Sequence, residues 1–226
     1  MRPELAPLPR RMRYLFLDHR GYPVPWFVAW INGAPDFRVM DPVKWGKAVG
    51  ERRCWVCGQQ LGTHLAFVIG PMCGINRTTS EPPCHLDCAK WSAANCPFLS
   101  RPQMVRREDS FTASLEQYSA GDPLTRNPGV TLIWITSRYR LFGDPQGKPL
   151  IQIGDPSQVL WYCQGRPATR AEVKASIDSG LPTLMSLAVE QDAREPGIGA
   201  VAELNSRAQA YLTLYPPEET NEQPKA

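Results

Sequence analysis

Residues 54–58 read Cys-Trp-Val-Cys-Gly and residues 84–88 read Cys-His-Leu-Asp-Cys, and these two stretches decide how the first half of the chain folds. A Cys-x-x-Cys pair followed by glycine makes a tight turn with both sulfurs aimed at one ion, and His85-x-x-Cys88 supplies a second pair on the first turn of a helix. Cys54, Cys57, His85 and Cys88 are the expected ligands of one zinc ion, with Cys84, at i, i+4 from Cys88, as the alternative to His85. Pro82-Pro83 disfavours helix before residue 84, so Cys84 is expected in the cap region, facing away from the side that carries residues 85 and 88. Zinc held by four protein ligands has no open coordination position, and the site is therefore expected to be structural. A ligating His85 needs an acceptor for its other ring nitrogen, with Asp87 or Glu81 in reach.

Seven cysteines is an odd number, and their paired spacing argues for metal ligation over a disulfide framework; Cys73, Cys96 and Cys163 read as small buried hydrophobes. The 226 residues, 42% of them hydrophobic, suffice for one large or two small cores. The chain start is basic and proline-rich, and no segment holds the roughly 20 apolar residues of a membrane span, so a cytoplasmic location is expected. The net charge of +3 conceals an asymmetry. Residues 1–107 carry 15 Lys and Arg against 7 Asp and Glu, whereas residues 108–226 carry 10 against 15. A basic first half is compatible with a nucleic-acid face, and an acidic second half with protein contacts or with mutual attraction of the two halves.

The coarse pattern is α+β. Residues 1–12 form a flexible basic arm, 13–105 a zinc-binding domain, 106–128 a linker without periodicity, 129–214 a second domain and 215–226 a disordered acidic tail. In the first domain, short strands are expected at Arg13–Leu17 and Trp26–Ile31, a turn at Asn32-Gly33, and a strand through Phe37–Met40. Asp41-Pro42 opens a helix, Leu65–Ile69 is a buried strand, Cys73–Thr79 returns toward the second ligand pair, and a helix covers Cys84–Asn95. The second domain reads as an antiparallel meander of strands at 130–135, 150–153 and 159–163. Three helices follow: one opened by the capping box Thr169-Arg170-Ala171-Glu172 and ended at Gly180, one around Leu184–Ala188, and one over Val201–Leu212.

The succession of knuckle, hairpin and ligand-bearing helix resembles the treble-clef zinc fingers over residues 54–96. That resemblance implies the metal and the local fold, in a family whose members bind nucleic acid, bind proteins or form nuclease cores. The run Gly21-Tyr22-Pro23-Val24-Pro25-Trp26-Phe27, the Cys54 knuckle, Phe67-Val68-Ile69-Gly70-Pro71-Met72 and Cys96-Pro97-Phe98-Leu99 also resembles proteins of phages and bacteria over residues 13–104, and implies no particular activity.

Three functions compete on these residues. A nucleic-acid-binding protein would use Arg52, Arg53, Arg77, Arg101, Arg106 and Arg107, with Trp55 and Trp91 read more readily as core than as base-stacking platforms. A protein-interaction adaptor would draw on the acidic second half. A metal-dependent nuclease of the His-Asn-His type would take His64 to activate water, Asn76 to orient the hairpin and His85 to bind the catalytic cation, with Cys84 and Cys88 completing the zinc site. Thr63 stands where that motif carries an acid. No P-loop, dinucleotide-binding or nucleophile-elbow motif occurs, and three histidines leave few bases for a catalytic triad. A non-enzymatic zinc-stabilised binding protein, contacting nucleic acid through its basic half, is the reading the sequence favours.

Overall fold

Asn32 and Gly33 both take positive φ, 50° and 79°, and fold β1 (Val28–Ile31) back on β2 (Ala34–Met40) in an antiparallel hairpin, the turn this dipeptide favours. The structure, a computed structural model, describes residues 5–100, 129–144 and 146–218. Helix α1 (Pro42–Gly50) starts where expected. The Asp41 carboxylate accepts the amides of Val43 and Lys44, and Pro42 occupies the first helical position, where its lack of an N–H costs nothing.

Strand β3 (Leu65–Ile69) is followed by α2 (Pro71–Asn76), the two-residue β4 (Thr78–Thr79), α3 (Leu86–Asn95) and α4 (Pro97–Ser100). Strands β5 (Thr131–Thr136), β6 (Tyr139–Gly143), β7 (Pro149–Ile153), β8 (Gln158–Cys163) and β9 (Arg166–Pro167) precede the helices α5 (Arg170–Arg194) and α6 (Ala200–Tyr211). The class is α+β, but the pairing is not a meander. One antiparallel sheet has the order β3-β5-β8-β9, and a second has the order β4-β7-β6. Each therefore takes a strand from the metal-ligand half and the rest from the second half.

Several expectations change for reasons visible in the packing. The two sequence domains share sheets and one hydrophobic cluster, because β3 is apolar on both faces and Phe67, Leu132 and Trp134 are all fully buried. Residues 73–76 lie in a helix and not in a returning strand; Pro71, with its preset φ, stands at the start of α2, and β3 finds its ladder partner in β5. Residues 13–17 form no strand beyond an isolated bridge from Leu17 to Pro23. From residue 5 the expected arm is docked, with Met12 buried, the Ala6 amide bonded to Asn95 Oδ1 and the Ala6 carbonyl accepting from Trp91 Nε1. Helix α5 runs through Gly180 and Pro182. Gly180 is a close-approach position, since a Cβ there would lie 3.0 Å from the Met72 side chain, and the carbonyl of Pro182 is taken by Ser186 Oγ. The linker 106–128 and residues 219–226 of the tail lie outside the described residues.

The second half is held on an aromatic frame. Trp134 gives its indole N–H to the Gly154 carbonyl and stacks with Tyr211 of α6 at 6.3 Å. Trp161 donates to the Leu214 carbonyl and meets Tyr211 edge to face. The capping box forms as read: Thr169 Oγ1 accepts the Glu172 amide, and the Glu172 carboxylate accepts the Thr169 amide and Arg166.

Two outcomes test this arrangement. Leu132 pairs with Ile69 on one side and Trp161 on the other, so Leu132→Ala should cost about 2–5 kcal/mol and lower the denaturant midpoint of both halves together, read by tryptophan fluorescence and by release of bound metal. Arg166 first, and then the Thr169 amide, hold the Glu172 carboxyl down at about 2. Its contribution is complete above the ordinary carboxylate range and fades as pH falls toward 2. Glu172→Gln should therefore destabilise by about 1 kcal/mol at neutral pH, a difference from the native sequence that disappears near pH 2 in thermal melts.

Candidate metal centre

The first ligand pair is shaped by its own backbone. Gly58 takes φ of +71°, and a Cβ at that position would come within 2.7 Å of the Trp26 ring, so glycine is required by conformation and by space together. The Gly58 amide donates to the Cys54 carbonyl, the Cys54 amide to the Gln59 carbonyl, and the Cys57 amide lies 3.4 Å from Cys54 Sγ. The Trp55 amide donates to the Pro83 carbonyl and ties this turn to the second ligand pair. Trp55 is buried and stacks on Phe27 at 4.9 Å.

The second pair is positioned by β3 and α3. Cys84 exchanges both backbone hydrogen bonds with Ala66, which keeps residue 84 extended. His85 is the N-cap of α3, with φ −66° and ψ 149°, and Cys88 sits in its first turn. The donor atoms of Cys54, Cys57, His85 and Cys88 all lie within 4.8 Å of one another. Sulfurs at the edges of a tetrahedral site with bonds of about 2.3 Å would be about 3.8 Å apart, so a small adjustment closes the four around one ion. The Cys84 thiol is buried beside Cys54 and outside this group of four.

His85 directs its two nitrogens differently. Nδ1 lies 3.4 Å from Cys57 Sγ, and Nε2 lies 2.9 Å from the Gln60 carbonyl oxygen. The ring thus meets the metal position through Nδ1, and Nε2–H donates to a backbone carbonyl of the knuckle loop, not to Asp87 or Glu81 as the sequence suggested. This bond sets the tautomer and holds the ring plane.

The donors of the group are strongly coupled electrostatically. Burial opposes ionisation of Cys54, but hydrogen bonds from Cys57, Cys84, Cys88 and His85 outweigh it and hold that thiol far below its ordinary range. Cys84 and Cys88 are pushed far up, each first by its hydrogen bond to Cys54. His85 is raised to about 10 by its bonds to Cys54 and Cys57. One sulfur takes negative charge easily and its neighbours resist it. Three thiolates at this spacing need a positive ion among them, and the donor set fits one.

The remaining sequence candidates lie as follows in the fold. His64 is exposed just before β3, Asn76 closes α2, and His85 has Nδ1 beside Cys57 Sγ and Nε2 on the Gln60 carbonyl. Arg52 Nη2 donates to the Gly62 carbonyl, and Arg53 binds Glu51 and the Gly58 carbonyl. These two staple the knuckle loop. Arg77 lies instead beside Arg138, Arg140 and Arg207, three residues that the reading of the sequence did not single out because they belong to the acidic half. Arg101, Arg106 and Arg107 lie outside the described residues. Trp91 is buried in the core, like Trp55.

No protein-family model, curated protein or solved structure matches this chain. What defines it is the chemistry of its own residues: an α+β protein with a four-residue thiol and imidazole cluster able to hold one metal ion.

Cys88→Ala should abolish metal retention and destabilise both halves together, because binding free energy and folding free energy are coupled in such sites and the halves share their sheets. Cys84→Ala, outside the group of four, should keep one ion per chain. Metal content of the purified variants by mass spectrometry, with circular dichroism on the same samples, checks both.

Proposed function

We propose that the ion is zinc and that the protein is a non-enzymatic binding protein whose metal-stabilised half contacts nucleic acid. Three thiolates and one imidazole in tetrahedral reach suit zinc, and four protein donors leave it no position for water or substrate. The ion then fastens the knuckle to the start of α3. Among the described residues no helix is long and apolar enough to cross a membrane.

The observation that carries the nucleic-acid reading is an exposed aromatic platform in the basic half. Phe16 and Trp30, 58% and 47% exposed, meet edge to face at 5.3 Å. Trp30 stands opposite Pro35 in the β1–β2 ladder, and Phe37, 38% exposed, lies in the irregular stretch of β2 just beyond Asp36. The Arg20 guanidinium lies 5.5 Å from the Phe37 ring centre. Rings presented to water with a cation among them suit stacking by unpaired bases, worth about 1–3 kcal/mol per base and tolerant of sequence. A single strand is therefore the favoured form.

The same platform, widened by Tyr14 and Leu17, favours a protein partner as the second reading. Salt separates the two. Anisotropy of a labelled single-stranded oligonucleotide should show binding that weakens steeply between about 50 and 200 mM salt. Phe16→Ala and Trp30→Ala should each cost about 1–3 kcal/mol with zinc content unchanged at one per chain. Absence of binding at low salt by the zinc-loaded protein would remove the nucleic-acid reading in favour of the adaptor.

A further inference from the structure

The second sheet and the last helix bring four arginines to one open cleft of about 400 Å³, lined by Arg77, Arg138, Arg140 and Arg207 together with Gln152 and Asp155. They reach it from four separate places. Arg77 is the C-cap of α2, Arg138 precedes β6, Arg140 lies within β6, and Arg207 comes from α6. Arg138 and Arg140 are two residues apart along an extended strand and point to the same side of the sheet. Arg140 is directly opposite Gln152, which is directly opposite Thr78, so one cross-strand row spans all three strands beneath the cleft.

Arg77 and Arg207 are braced by the fold, and Arg138 is largely exposed. Arg77 lies 4.6 Å from the centre of the buried Trp134 ring and 3.1 Å from Asp155. Arg207 donates to the Asn76 carbonyl at 2.8 Å and pairs with Glu203. Arg140 Nε is bonded to Gln152 Oε1, and among the described residues Arg140 has no carboxylate partner. Asp155, the carboxylate of the cleft, is shared between Arg77 and Arg138, the latter at 3.6 Å. Four cations therefore face two acids, Asp155 and Glu203. Planar guanidinium forks with free N–H edges match the oxygens of a phosphoryl group in pairs, and converging positive charge of this kind is relieved by an anion.

We propose that this cleft is a phosphate-binding site, taking the phosphoryl groups of a nucleic-acid strand or of a free polyphosphate. The identity of the strand as the source rests on the nucleic-acid reading above; the phosphate chemistry does not. The site joins Arg77 of the basic half to three arginines of the half that carries net negative charge, and would add an electrostatic grip at the second sheet.

Arg138→Gln/Arg140→Gln is the variant of choice, because neither residue carries a core contact, whereas Arg77 and Arg207 brace Trp134 and α2. Calorimetry with inorganic pyrophosphate and anisotropy with a short labelled oligothymidylate are run on the full zinc-loaded chain, at about 50 and 200 mM salt. The expected result is binding of pyrophosphate by the native sequence, with loss of tenfold or more in the double variant. If the strand is the source, oligothymidylate weakens similarly, the slope of log affinity on log salt falls by about 2, one for each charge removed, and pyrophosphate competes. Pyrophosphate binding that is lost in the variant without any oligothymidylate binding also supports the cleft and assigns it to a free polyphosphate. Oligothymidylate binding that is unchanged in the double variant but lost in Trp30→Ala would overturn this site and leave the platform standing. Binding of neither probe by the native sequence would overturn it as well.

Discussion

Three thiols and an imidazole whose donor atoms crowd within 4.8 Å of each other impose the constraint on which the first half of this protein depends. These donors are coupled: hydrogen bonds from its neighbours hold the Cys54 thiol far down, and hydrogen bonding to Cys54 pushes the Cys88 thiol far up. A single cation held by the four donors would tie residues 54–57 to residues 85–88. The surrounding backbone is arranged for it. The amides of Cys57 and His85 both point at Cys54 Sγ, and the Gln60 carbonyl fixes the far side of the imidazole.

From this tie the rest of the fold follows by packing. Cys84, next to the metal group, is bridged to Ala66 of β3, and β3 in turn forms the full ladder with β5. The metal-ligand group is thus joined through one residue of extended backbone to the sheet shared by both halves. Helix α3 covers β3 and β5, and α2 meets α5 and α6, so the later helices close the core that the metal half begins. A chain built this way has little reason to unfold in two steps.

The two candidate contact surfaces use different physics. On the β1–β2 hairpin the exposed rings offer dispersion and stacking, and the arginine nearest them is already paired with Asp18. In the cleft the buried Trp134 ring lies under the Arg77 guanidinium, while the exposed chemistry is charge. A single strand requires both kinds of contact, bases for the first and phosphates for the second.

What the sequence determined by itself was local. The Asn32-Gly33 turn, the Asp41 cap, the Thr169 capping box, the span of β3 and the ligand pairs were all legible, because each rests on residues no more than about four apart whose backbone preferences act without help from the rest of the chain. The tertiary structure decided everything that depends on distant partners. Short apolar, β-branched and aromatic runs in β5, β7 and β8 marked them as strands but could not say that β5 would pair with β3, since register and partner are set by burial of both faces. Gly180 read as a stop signal, and only the nearness of Met72 shows that it is a contact position. Counting charge along the chain assigned the basic character to residues 1–107, and four arginines drawn from both halves meet in one cleft because folding, not sequence order, sets which charges are neighbours.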